Sequence, residues 1–169
     1  IVDTGPHILH TPDEGIWNDW KGLIGETLES GSYYSANYKK DGKSFKLFDY
    51  PLNLTQILNS NYWDLNTLSN IKKEIKETPN HNKTSNADSF KSYIDGLIGK
   101  TLSKEFFFDY PKKVWSISPD EMLPDWAPKR IRRCKNRETF FSDQFCGIST
   151  KGSGYIFEKI CSYLEERGS

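Results

Sequence analysis

Apolar positions follow two different periods along the chain. Ile16, Trp17, Trp20, Leu23, Ile24 and Leu28 recur at helical spacing. Thr11-Pro-Asp-Glu precedes them, with Thr11 able to cap, Pro12 suited to the first helical position and Glu14 able to close a capping box, so a helix is predicted over 12–28. Gly22 and Gly25 weaken that helix or let it lie close to a sheet. After Ser30-Gly-Ser the period becomes two. Residues 33–38 and 44–50 predict a pair of strands around the hairpin signal Lys40-Asp-Gly-Lys, and Pro51 stops the second. Leu65, Leu68, Ile71 and Ile75 follow the cap candidate Asp64, while Phe90, Tyr93, Ile94, Leu97 and Ile98 occupy i, i+3, i+4, i+7 and i+8. Both patterns predict amphipathic helices, separated by a polar loop over 79–89.

The aromatic-rich stretches 104–110 and 114–117 read as strands, and Ser118-Pro-Asp-Glu as the cap of a short helical turn. Pro124 and Pro128 then shape a loop. From Arg137 to Cys161 the chain reads as a three-strand meander. Its segments are 139–141, 145–150 and one opened by Tyr155, Phe157 and Ile160, with turns at Ser142-Asp-Gln and Gly152-Ser-Gly. One face of such a meander would carry Arg137 and Lys151 towards a common ligand. The elements together predict an α+β fold. An N-terminal helix packs on a curved antiparallel sheet of four or five strands, and residues 52–103 form a helical insertion within a single domain over 1–169. The words Gly22-Leu-Ile-Gly and Phe48-Asp-Tyr-Pro recur at Gly96 and Phe108, but their surroundings do not align as a repeat.

A chain of 169 residues can bury a core as one domain. Its formal net charge of zero excludes a global pull on nucleic acid, so RNA binding would need a local patch. Lys129, Arg130, Arg132, Arg133, Lys135 and Arg137 supply one candidate, whose plainer reading is a solvated charged face. Cys134, Cys146 and Cys161 lack the Cys-x-x-Cys spacing of zinc or redox sites. In a secreted protein they predict one disulfide, with Cys134 or Cys146 bonded to Cys161, and a spare thiol. Asn53-Leu-Thr and Asn82-Lys-Thr would be glycosylation acceptors there. The start Ile-Val-Asp fits the loss of a signal peptide, and no run is apolar enough to span a membrane. His7, His10 and His81 have no metal-ligand spacing, so neither metal nor cofactor is expected.

Three words resemble a known family, the fungal guanyl-specific ribonucleases and sarcin-type ribotoxins. Arg137, Phe145-Cys146-Gly147, Lys151 and Cys161 follow that family's terminal pattern of arginine, turn, histidine and cysteine, with Lys151 in place of the histidine. Gly25-Glu26-Thr27, Ser32-Tyr33-Tyr34-Ser35 and Asp41-Gly42 with Phe45 are similar to its helix end and first hairpin, with Ser35 at the other lost histidine. Phe107-Phe108-Asp109-Tyr110-Pro111 is similar to the stretch around its catalytic glutamate, so Asp109 stands in for that acid, with Asp49 as the lesser option. The matches cover about 60 to 70 of the 169 residues. The resemblance implies cleavage through a cyclic phosphate, with Asp109 as base, Arg137 on the phosphate and Lys151 as acid. A lysine with a reference pKa of about 10.4 is a poor acid at neutral pH. The expectation is therefore a secreted, monomeric ribonuclease-like effector of a plant-pathogenic fungus. It would bind a host protein, an immune receptor or RNA inside host cells without cutting. An active ribonuclease is the first alternative. The second is a protein-interaction module of unrelated α+β fold, using the Trp17/Trp20 helix or the 52–103 stretch.

Overall fold

A computed structural model describes residues 7–78 and 87–168. In chain order the elements are β1 (Leu9–Thr11), α1 (Glu14–Ile24), β2 (Leu28–Ser30), β3 (Ser35–Asp41), β4 (Ser44–Tyr50), β5 (Leu52–Asn53), α2 (Leu54–Leu58), α3 (Leu65–Glu77), α4 (Phe90–Ile98), α5 (Lys100–Phe106), α6 (Asp109–Trp115), β6 (Arg133–Cys134), β7 (Phe145–Ser149) and α7 (Ser153–Glu165). The class is α+β, as expected. The strands form three small sheets, ordered β1-β7-β2, β3-β4 and β5-β6, where one sheet of four or five strands was expected. The chain divides into two compact units, residues 1–33 with 141–169, and residues 34–140.

In the first unit β7 is the central strand, antiparallel to both neighbours. Helix α1 begins later than its sequence signals suggest. Asp13 is its cap, accepting from the backbone N–H groups of Gly15 and Ile16, while Thr11 belongs to β1 and its hydroxyl accepts from Asp13 N–H. The helix also stops at Ile24, because Leu28 is needed in β2 opposite Ser149. Trp17 is buried and stacks on Phe145 of β7 at 5.6 Å, so the N-terminal helix does pack across an antiparallel sheet. The Phe145-Cys146-Gly147 word is strand, not turn. A β-carbon on Gly147 would lie 2.8 Å from Trp17 and 2.9 Å from Leu28, so hydrogen is the only side chain that fits beneath the helix.

The expected third strand of the meander is helix α7. Residues 139–141 carry no strand either, and only β7 survives of the three.

The second unit realises the predicted hairpin with full register, Ser35 opposite Tyr50 through Asp41 opposite Ser44. Gly42 supplies the positive φ of 59° that the turn demands. Side chains alternate across this ribbon. Phe48 is buried on the inner face, while Tyr38, Phe45 and Leu47 stay exposed on the other. Helices α3 and α4 match their sequence signals, with caps Asp64 and Ser89 as hydrogen-bond acceptors. The two expected strands after residue 100 are the helices α5 and α6 instead. Leu102, Ser103 and Phe106 are buried together on α5, so core packing overrides the β-preference of the phenylalanine run. Pro111 is tolerated because it lies in the first turn of α6, where a backbone N–H has no intrahelical partner.

Replacing Gly147 by Ala is expected to destabilise the protein by about 1–3 kcal/mol through overpacking against Trp17 and Leu28. Gly31→Ala, with nothing within 4 Å of its added carbon, serves as the control. Urea unfolding of the two variants measures the difference.

Candidate functional site

The residues singled out by sequence are spread over several elements of the two units. Asp109 is in the first turn of α6, and Arg137 lies in irregular chain after β6. The Arg137 guanidinium sits over the Tyr34 ring at 4.2 Å and pairs with Asp49 at 3.4 Å. Asp49 also accepts from the side-chain amide of Asn53 at 2.9 Å. That amide is committed twice, since the Asn53 oxygen caps α2 by accepting from Gln56 N–H. Lys151 belongs to the other unit, in the turn before α7, with its ammonium 4.5 Å from the Tyr155 ring centre. Ser35 is an ordinary first residue of β3.

The members of the basic run differ in exposure and in partners. Arg133 is buried and donates to the Thr78 carbonyl, and its burial lowers the guanidinium pKa. Arg132 pairs with Glu138 at 2.7 Å, which holds that carboxyl below its usual range. Arg130 lies over the Phe140 ring at 4.3 Å. Lys129, Lys135 and Arg137 are exposed.

Of the histidines, His10 is part of β1, where its Nδ1 meets the Asp143 carboxylate at 2.5 Å and its ring stacks on Phe141 at 3.8 Å. His7 is exposed, and His81 and the Asn82 triplet lie outside the described residues. Among the described residues no group of three side chains is arranged to hold a metal ion. The cysteines are free, which corrects the expected disulfide. Burial, helped by the Glu138 carboxylate, pushes the Cys134 thiol up to about 11.

The feature that sequence reasoning missed is an aromatic pocket wholly within residues 34–140. It has a volume of about 410 Å³. Tyr50 and Phe140 form one wall, with ring centres 5.8 Å apart. Tyr110, Trp115 and Trp126 form another as a chain of edge-to-face contacts at 5.8 and 5.2 Å. Phe106 and Phe107 contribute from α5 and its end, and Arg130 brings a cation to the lining. Tyr110, Trp115 and Trp126 remain 62%, 40% and 51% exposed, unusual for rings of that size. Asn37 also lines the pocket, and its side-chain Nδ2 is buried with no hydrogen-bond partner. An orphaned buried donor costs about 1–3 kcal/mol unless something accepts from it. Burial raises the Tyr50 hydroxyl to about 12, so it stays protonated across neutral pH. The arrangement can stack planar groups and donate hydrogen bonds to an acceptor-rich ligand. The signal in the sequence is the tryptophan pair Trp115 and Trp126 beside Tyr110, which strand assignments disperse.

No family model matches the chain. It is similar to the dTDP-fucopyranose mutase of Escherichia coli, with 26% identity over 162 residues, covering 94% of this chain and 40% of that protein. It is likewise similar to the probable UDP-galactopyranose mutase of Klebsiella pneumoniae, with 27% identity over 161 residues, 94% of this chain and 39% of that protein. The chain thus spans about two-fifths of the length of these curated relatives. The similarity runs through nearly the whole sequence, whereas the ribonuclease words are short and scattered. It overturns the ribonuclease kinship and with it the ribonuclease-like effector reading. None of the described helices is long and apolar enough to cross a membrane.

At pH 8 a thiol reagent is expected to modify the exposed Cys161 first and to leave the buried Cys134 unreacted until the chain unfolds. Mass mapping of the labelled peptides checks the order, and a non-reducing gel checks that no disulfide is present.

Proposed function

We propose that this chain is the ligand-binding portion of a sugar-nucleotide mutase, and that the aromatic pocket of residues 34–140 receives the sugar nucleotide. The observation that carries the reading is the pocket itself, aromatic walls around an unpaired Asn37 amide with Arg130 in the lining. A sugar nucleotide offers what such a site takes: a planar base for the rings, hydroxyls and carbonyls for the amide, and a diphosphate for an arginine. The names of both relatives pair a nucleoside diphosphate with a pyranose sugar, which supports the same ligand class. The described part of the chain supplies recognition. A base held between Trp115 and its neighbours fixes one end of the ligand and leaves the sugar end free for chemistry.

Titration of the chain with UDP and with dTDP, followed by tryptophan fluorescence, tests this. Saturable quenching is expected, and Trp115→Ala should weaken it about tenfold, the equivalent of ~1.4 kcal/mol within the range of base–aromatic stacking. Asn37→Ala should weaken it about fivefold. Trp20→Ala, in the other unit, should leave affinity unchanged. Binding indifferent to Trp115 and Asn37 would defeat the assignment.

A further inference from the structure

Helix α7 has thirteen residues and none of them is buried. Phe157, Ile160, Cys161 and Leu164 nevertheless lie within about 100° of one another on a 3.6-residue wheel, the width of stripe that a helix turns to a core. Phe157, Ile160 and Leu164 are 66%, 37% and 45% exposed. The unit that owns this helix is thin. Among its described residues the large apolar side chains that are buried are Trp17 and Ile24. The groove between α1 and α7, lined by Leu23, Lys159, Ile160 and Tyr163, adds further uncovered surface beside the stripe.

We propose that this face of α7 is an internal interface of a mutase-length protein, covered by an apolar surface of polypeptide lying outside the 169 residues. The relatives supply the occupant. They match this chain over two-fifths of their length and carry the remaining three-fifths elsewhere. A second copy is the poorer occupant. A thirteen-residue helix is about 20 Å long. Two such helices face to face fall short of the roughly 1,200 Å² that a stable dimer buries. The inference rests on the length relation and the bare helix, not on the pocket, so failure of nucleotide binding leaves it standing.

The first arm of the test uses the 169-residue chain. Phe157→Glu with Leu164→Glu should leave its melting temperature unchanged and its sedimentation monomeric, because the stripe supports nothing within it. The second arm places this chain in the matching stretch of the Escherichia coli mutase. There the α7 amides should exchange hydrogen about a hundredfold more slowly than in the 169-residue chain. Cys161 should lose its reactivity, and the double-glutamate change should restore both. If that chimera does not fold, exchange is read in the intact Escherichia coli protein, where the helix matching α7 should be protected. Fast exchange there overturns the proposal. So does a glutamate pair that unfolds the 169-residue chain, or a dimer that the glutamate pair dissolves.

Discussion

Phe48 is the point at which the hairpin and the helices of residues 34–140 become one structure. Its ring is 1% exposed and meets Tyr62, Trp63 and Phe106 at 5.6, 5.4 and 5.4 Å. A two-stranded ribbon is marginal by itself in water. Strand pairing fixes Asn37 opposite Phe48, so seating that ring also aims the Asn37 amide into the pocket. Phe106 then fixes where α5 ends, and the residues beyond it, Phe107 and Tyr110, become pocket wall. The site is therefore the edge of the core, built from the same aromatic contacts that hold the unit together.

That origin explains how much of the fold is legible in the sequence. The hairpin is legible because alternation and Asp41-Gly42 agree on the same turn. Helices α3 and α4 are legible because caps and period agree. Phe106, Phe107 and Phe108 mislead because consecutive phenylalanines favour strands unless a core claims them, and here the core does. Pro111 reads as a stop and in the fold marks a start. Gly152, with a φ of 88°, does break the chain after β7, but α7 is then a helix whose apolar stripe stays largely exposed. Its helical period, Phe157, Ile160, Cys161 and Leu164 at i, i+3, i+4 and i+7, stands in the sequence, and the alternation of Tyr155 and Phe157 after a glycine turn leads away from it.

The site is illegible for a different reason. Its lining comes from β3, β4, the start of α4, the α5–α6 stretch, the segment around Trp126 and Phe140, so no local word encodes it. Words of three to five residues suggest a ribonuclease instead, and Arg137 among them, like Arg132 and Arg133 of the basic run, is engaged within the fold. Arg137 holds Asp49, Arg132 holds Glu138 and Arg133 holds the Thr78 carbonyl. A charge already paired in the fold is a poor guide to a ligand. An amide left without a partner is a better one.

The relatives differ in their nucleotide, one named for dTDP and the other for UDP. On the proposed reading, aromatic walls suit both, because stacking reads the face of a base and is tolerant of its substituents. Selectivity then falls to the polar groups. Tyr50, with its hydroxyl near 12, and Asn37 are both donors at neutral pH. Two donors in an apolar wall favour a ligand rich in acceptors over a hydrocarbon of equal volume, since the hydrocarbon would leave them unpaired.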